Sequence, residues 1–479
     1  MYNKLEITKI KEKIESLLDN HTKKIINEIK LNKGKAYLVG GAVRDLILNK
    51  DIYDLDIEVH YIDLNRLKSI LELFSKVNLV GKSFGILKLE SSNIDWSLPR
   101  KDKGGRKPIV EIDPYMDIKE ALKRRDLTIN AIAIDLFDYK IVDPFNGISD
   151  IKNRILRSPD INFFEEDPLR FFRVMQFIAR FNMYPNEELN ERCKKVNIDN
   201  LSIERIEAEF KKMLLKSQYP SKGIRWLNDI DRLKDILPDL DKTKYIKQDI
   251  RYHPEIWVFE HLMQTLDAAS FICDISNIEN TNDKLAILYS ALFHDIGKIY
   301  TTKIIDKKII SYNHEVIGYN IVKNSLKKIL TSKKLIEEIS ILIRYHMAPL
   351  QFIKQNSKAK AYKKLALKLA KNCNIYKLSR LSLADLKGRN GKENKPKLDC
   401  IECDNIIDKF TYNANKYGVL FHPIKALITG KDLLEFLNEG TKIGEILKYA
   451  YKIQIDNNIN NKDDLLKYII KKLKLKNKN

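Results

Sequence analysis

The sequence predicts an α+β protein in which a mixed segment comes first and helices make up the remainder. Between Lys35 and about Leu156, short β-type runs (AYLVGG, LDIEVHYIDL, GILKLE, NIDWSL, NAIAIDL, KIVDPF) alternate with helical stretches. From about Asn162 onward, apolar residues recur at helical spacing almost without a break, as in PLRFFRVMQFIARF, IERIEAEFKKMLL, DKLAILYSALF, EEISILIRY and DLLKYIIKKL. A length of 479 residues, 44% hydrophobic and 32% charged, suits several globular domains and excludes disordered or collagen-like chains.

Residues 1 to 30 read as one amphipathic lead-in helix, and the terminal KKLKLKNKN as a solvated end. No uninterrupted apolar stretch approaches the ~18 residues that span a bilayer. The opening MYNKLEITKIKEKIESLL lacks the pattern of a signal peptide, so a cytoplasmic location and no membrane partner are expected. Five cysteines are too few and too scattered for a disulfide framework, and the lone Cys400-x-x-Cys403 reads as structural. The formal net charge is +21, a surface that attracts phosphate polymers through counterion release.

Three kinds of chemistry lie within KAYLVGGAVRDLILNKDIYDLDIEVH. A β-type run breaks at Gly40 and Gly41 before a helical AVRDLIL. Backbone N–H groups at such a turn can approach a triphosphate, and Arg44 in the first turn adds a charged donor. Asp54 and Asp56 stand two apart in a strand-like stretch, which puts both carboxylates on one face. Like charges that close call for cations, and a pair of divalent ions is the common means of activating an attacking hydroxyl against a leaving pyrophosphate. Asp95 supplies a third acid, with Asp51 and Glu58 competing for the role.

These segments, followed by RRDLTINAIAID, DPFNGISDI, EEDPLRFFRVMQFIARF and ERIEAEFKKML, resemble the class II tRNA nucleotidyltransferase/poly(A) polymerase family. The resemblance implies a DNA polymerase β-like head, a helical neck, body and tail, tRNA as partner, and CTP and ATP as substrates. Carried over, Gly41 and Arg44 contact nucleotide phosphates, Asp54 and Asp56 bind Mg²⁺, and Arg125 and Asp126 contact the sugar and phosphates of the incoming nucleotide. Asp167, Arg170 and Arg173 recur every three residues of a helical stretch. An acceptor beside a donor fork reads the edge that cytosine and adenine share, an exocyclic amine next to a ring-nitrogen acceptor. The resemblance makes Asp167 and Arg170 a protein template for CTP and ATP, while Asp167-Pro168 is equally a good helix start. Two positions depart from the family pattern: Asn49 replaces a usual glycine, and Gln176 replaces an arginine found in many members.

Five of the eight histidines fall between His253 and His346. Metal ligation is the commonest cause of such clustering. HPEIWVFEH, ALFHDIGK and LSLADLKGR resemble an HD-type phosphohydrolase domain, and nucleotidyltransferases with a fused HD domain form a bacterial subgroup. The implied ligands of a transition metal or Mg²⁺ are His261, His294, Asp295 and Asp385. His314 and His346 are second-metal ligands or phosphate contacts, and Lys298 supports the site.

The expected divisions are an N-terminal extension (1–34), head (35–157), neck (158–225), HD body (226–395) and tRNA-binding tail (396–479). The expected function is CCA addition to tRNA with a second hydrolytic site. A CC-only enzyme, an A-only enzyme and a poly(A) polymerase share the fold, and their discrimination rests on a loop at about Arg100 to Glu120. A tRNA-end repair hydrolase or RNA-binding module with an inactive head is the alternative of another class.

Overall fold

The computed structural model describes residues 4–80, 85–90, 92–103, 109–370, 373–434, 436 and 441–473. Residues 104–108 of the expected discriminating loop, part of the expected tail (435 and 437–440) and the terminal 474–479 lie outside the described residues. Two compact units are present, Met1–Glu209 and Phe210–Asn479.

In the first unit the lead-in is two helices, α1 (Lys4–Leu17) and α2 (Asn20–Leu31), rather than one. Asp19 breaks the run because its carboxylate accepts the Thr22 N–H at 2.7 Å and caps α2. The strands that follow include β1 (Lys35–Val39), β2 (Leu55–His60), β3 (Val77–Val80), β4 (Ile86–Leu89), β5 (Ile94–Ser97), β6 (Arg100–Lys103), β7 (Ile109–Ile112), β8 (Ala133–Asp135) and β9 (Ile141–Val142). Seven of them form a mixed sheet in the order β3-β4-β5-β2-β1-β8-β9, while β6 and β7 pair separately. β1 runs antiparallel to β2 and β8, and β2 runs parallel to β5. The helices of this unit include α3 (Gly41–Ile47), α4 (Leu64–Glu72), α5 (Ile118–Lys123), α6 (Gly147–Asn153), α7 (Ile161–Phe164) and α8 (Leu169–Phe181).

The division between units falls inside the segment expected to be a separate neck. Its cause is α8, which buries Phe171, Phe172 and Phe177 and donates from Arg173 to Asp126 of the head. Asn49 has φ 52°, the left-handed conformation that glycine or asparagine adopts most readily, so the departure from the family's glycine leaves the turn intact. Gln176 is buried and accepts from Arg180 at 3.1 Å.

The second unit is helical, with helix Val258–Ile275 buried along most of its length and packed against Thr281–Phe293 and Ile375–Lys387. One departure from the all-helical expectation is a hairpin, Lys303–Ile305 with Lys308–Ile310. Its two turn residues, Asp306 and Lys307, both have positive φ (48° and 59°), the signature of a tight two-residue hairpin turn. Cys400 and Cys403 form a disulfide at the start of helix Ile401–Lys416. The tail has a small core of its own around Leu433, Leu465 and Ile469. Among the described residues, no helix is long and apolar enough to cross a membrane.

Candidate active sites

In the first unit β1 ends at Val39, directly opposite Asp56 of β2, and Asp56 in turn stands level with Asp95 of β5. The chain then turns at Gly40 with φ 72° and ψ −134°, a conformation in which any side chain would be strained. A Cβ at Gly40 would lie 3.4 Å from both the Asp56 carboxylate and the Arg125 guanidinium. Gly40, rather than the expected Gly41 that begins α3, is therefore the backbone at the carboxylates. Asp54 is exposed and lies one residue before β2, not within it.

Burial raises the Asp56 pKa; Arg125 opposes that shift, and Asp95, Asp54 and Glu58 add to it. Such a concentration of anions is a setting that a divalent cation fits. Glu58 is committed to His60 at 3.1 Å and to Arg125 at 3.3 Å, which hold its pKa down against burial. Asp51 is exposed in the preceding loop. Asp95, paired with half-exposed Lys88 at 3.1 Å, lines with Asp56 and Arg125 a cavity of about 190 Å³.

Other expected nucleotide contacts face the protein. Arg44 is buried, donates to Asp45 through Nε (2.9 Å) and Nη2 (2.8 Å), and donates from Nη1 to Asn130 at 2.6 Å. It also lies over the ring of Phe181, 4.6 Å from its centroid. In this arrangement it is not the open phosphate donor expected from the first turn of α3. Asn130 donates to Asp126 at 2.9 Å, and Arg173 donates to the other Asp126 oxygen. Burial would raise the Asp126 pKa, but Arg173 and Asn130 bring it down to about 2. The network Asp45–Arg44–Asn130–Asp126–Arg173 thus ties α3 to α8.

Asp167 precedes α8 and does not pair with Arg170 in the described hydrogen bonds. It caps the Leu169 N–H at 3.1 Å and accepts from Arg205 at 2.9 Å. Arg170 donates to the carbonyls of Phe163 (2.6 Å) and Arg124 (2.8 Å). Arg205 was not anticipated, although ERIEAEF contains it.

The second unit brings His261, His294, Asp295, His314, His346 and Asp385 into one buried cluster. His261 and His294 meet Nε2 to Nε2 at 3.1 Å, and His314 and His346 do so at 3.3 Å. On the far side of the rings, the Nδ1 atoms of His294, His314 and His346 contact the carbonyls of Ala291 (3.0 Å), Ser311 (2.8 Å) and Ile343 (2.7 Å). A carbonyl can only accept, so each of these Nδ1 atoms carries a proton, and in the neutral ring the Nε2 is left with a lone pair. Facing lone pairs need a cation between them, so the residues fit a metal.

Asp295 joins the two pairs. Its Oδ2 is 3.5 Å from His294 and its Oδ1 3.1 Å from His314. Asp385 Oδ1 lies 3.1 Å from His261 Nε2. Burial works against both carboxylates, yet Lys298 with His294 and His314 holds Asp295 well below the usual range, and Arg389 with His261 does so for Asp385. Burial also opposes a charge on His261, but Asp385 and Glu255 outweigh it and raise its pKa to about 9, whereas burial takes His294 to about 4 and His346 to about 3. Asp385 and Glu255 thus favour positive charge at the His261 ring.

Gly297 serves packing rather than helix termination: its φ is −66°, and a Cβ there would meet the His314 carbonyl oxygen at 2.0 Å. That close approach sets Asp295 against His314. Two supporting residues were not anticipated, though both stand within quoted motifs. Glu255 of HPE accepts from His261 Nδ1 at 2.9 Å, and Arg389, one helical turn after Asp385, grips its carboxylate at 2.8 and 2.9 Å. A cavity of about 650 Å³ opens over the cluster.

The poly A polymerase head domain family matches residues 36–157, and the HD domain family residues 258–373, which leaves Asp385 and Arg389 beyond the match. A multifunctional CCA protein from Mannheimia succiniciproducens is 32% identical over 75% of this chain and 85% of that protein. Another, from Pasteurella multocida, is 35% identical over 59% of this chain and 67% of that protein. Among solved structures, a Thermotoga maritima CCA-adding enzyme complexed with tRNA covers 98% of both chains at 18% identity, TM-score 0.58. A Bacillus stearothermophilus CCA-adding enzyme in complex with CTP covers 95% of this chain and 98% of its own, also at 18% identity, TM-score 0.59. These two show a shared fold. With a nucleotidyltransferase head, an HD domain and this degree of identity to full-length relatives, the chain belongs to the multifunctional CCA protein family.

Proposed function

We propose that the chain builds the CCA end of tRNA from CTP and ATP at the Asp54, Asp56 and Asp95 carboxylates, and hydrolyses phosphate esters at the HD cluster. The register that sets Asp56 level with Asp95 beside the Gly40 turn carries the first part. The tRNA 3′-hydroxyl oxygen bonds to the α-phosphorus, the bond from that phosphorus to the bridging oxygen breaks, pyrophosphate leaves, and the hydroxyl proton passes to solvent. Magnesium ions held by Asp54 and Asp56 would acidify the hydroxyl and neutralise the pyrophosphate. Gly40 lets the triphosphate approach the backbone, and Arg125 adds a cation over the carboxylates. Asp167 and Arg170 select cytosine and adenine once substrate draws them from their present partners. CTP and tRNA bound by the two structural relatives support this choice of substrates, which are those of the cytoplasm. The chain's positive charge suits a tRNA backbone read by shape.

At the HD cluster a transition metal or Mg²⁺ held by His261, His294, Asp295 and Asp385 would activate water against a phosphate ester, with His314 and His346 completing a second position. The substrate class is a 2′,3′-cyclic phosphate or a phosphate monoester at an RNA end.

The test uses purified protein, labelled CTP or ATP, and tRNA ending at the discriminator base, at CC or at CCA. CMP should be added to the first, AMP to the second and nothing to the third. Runs of adenylate on the CCA end would make the protein a poly(A) polymerase. Addition of one nucleotide type alone would make it a CC-only or A-only enzyme, and no incorporation would leave the hydrolase as the function.

A further inference from the structure

Gln248 is buried at the margin of the HD cavity, and Ile256, three residues past His253, holds its backbone N–H through a 2.7 Å hydrogen bond. Its side-chain oxygen accepts from Lys298 Nζ at 2.6 Å, and the same Nζ donates to Asp295 Oδ2 at 2.6 Å. An ammonium has donors and no acceptor, so the amide can present only its oxygen to Lys298. This fixes the orientation of an amide that would otherwise be ambiguous. The Nε2 amine is left pointing elsewhere, fully buried, and among the described residues nothing accepts from it.

An orphaned buried amide donor is costly, and sites retain one where a ligand supplies the acceptor. Here the amine lies beside the phosphate-ester site: Gln248 Oε1 and the Asp295 carboxylate can be no farther apart than two hydrogen bonds laid end to end. Asp295 already faces Lys298 and the histidines, and Glu255 Oε2, itself buried without a partner, does not accept from the amine. What the amine lacks is an anionic oxygen entering from the cavity.

We infer that Gln248 is a substrate-binding residue of the HD site, its Nε2 amine donating to a non-bridging oxygen of the bound phosphate while Lys298 holds the amide in that orientation. The inference rests on the phosphohydrolase reading of the cluster. It also explains why a glutamine stands here: a lysine or arginine would repel Lys298, and a carboxylate would repel the phosphate.

The test compares the full-length protein with Q248E and Q248M in Mg²⁺-containing buffer. Q248E keeps an acceptor for Lys298 and loses the donor; Q248M loses both without adding charge. Inorganic phosphate binding is measured by calorimetry, and KM and kcat are measured for hydrolysis of a 2′,3′-cyclic pyrimidine nucleotide, with thermal unfolding as the check on folding. Both variants should bind phosphate about tenfold to a hundredfold more weakly and show a matching rise in KM, with kcat changed far less.

Normal phosphate binding by Q248E would overturn the inference, because Gln248 would then act only by positioning Lys298. Weak binding by Q248E with normal binding by Q248M would also overturn it, since the loss would be carboxylate repulsion. If the wild-type protein neither binds phosphate nor hydrolyses the nucleotide, the phosphohydrolase reading falls and this inference falls with it. If the wild-type protein does both and the variants match it, this inference alone falls.

Discussion

In the second unit His261, His294, Asp295 and Asp385 are buried, and each is held from behind, His261 by Glu255, His294 by a carbonyl, Asp295 by Lys298 and Asp385 by Arg389. In the first unit Asp54 is exposed, Asp56 and Asp95 are half-buried, and Arg44, Arg170 and Arg173 are bonded to protein groups instead of facing the cavity. On the proposed roles, the protein completes one ligand set by itself and leaves the other to be completed by substrate. The chemistry accounts for the contrast. A hydrolytic centre gains from lone pairs aligned in advance. A polymerising site must admit CTP, then ATP, and a growing RNA end, and so keeps donors that exchange partners.

This comparison can be broken at several points. The largest effect belongs to D56N, which should reduce nucleotide addition about a hundredfold to a thousandfold while hydrolysis at the HD site stays normal. Loss of both activities would mean that the units do not act separately. E255Q should weaken divalent metal binding about tenfold to a hundredfold, read by competition with a chelator, because the partner orienting His261 loses its charge. An unchanged affinity would show that the ring is held by packing and by the Gly388 carbonyl, 3.3 Å from its Nδ1, alone.

D126N probes the network between α3 and α8. It should cost about 2 to 3 kcal/mol in urea unfolding at neutral pH, discounted because Arg173 is partly exposed. Asp126 has a folded-state pKa of about 2 against 3.8 ordinarily. A depressed carboxylate stabilises the fold above its unfolded pKa and loses that contribution as protons bind. The difference between D126N and wild type should therefore be full above pH 4 and shrink as the pH falls towards 2. A gap that does not vary with pH in this window would contradict the charge pairing. The smallest effect is expected of K88A, within about 0.5 kcal/mol of wild type by the same unfolding measurement, since Lys88 and Asp95 form a half-exposed pair open to solvent screening.

Residues that carry unusual chemistry were legible in the sequence. A histidine next to an aspartate at the end of an apolar run, or two aspartates two apart in a strand-like stretch, stands out because burying such groups is costly without a purpose, although Asp54 itself is exposed and precedes β2. The supporting residues were less so, for Glu255, Arg389 and Gln248 are ordinary polar residues whose meaning depends on a neighbour brought close by folding. Arg44 shows the converse. Its place in the first turn of α3 is visible, but its direction is set by Asn130 and Phe181, which are distant in sequence. The split lead-in helix and the Lys303–Ile310 hairpin were missed because local capping by Asp19 and a tight turn at Asp306-Lys307 override apolar periodicity.

Crystals grown with CTP and Mn²⁺ reveal which carboxylates hold the nucleotide's metal ions, because manganese scatters anomalously and identifies itself. Manganese is expected at about 2.0–2.3 Å from carboxylate oxygens of Asp54 and Asp56, with the triphosphate on the same ions. A triphosphate seated elsewhere, with both carboxylates bare, would contradict the proposed roles of Asp54 and Asp56.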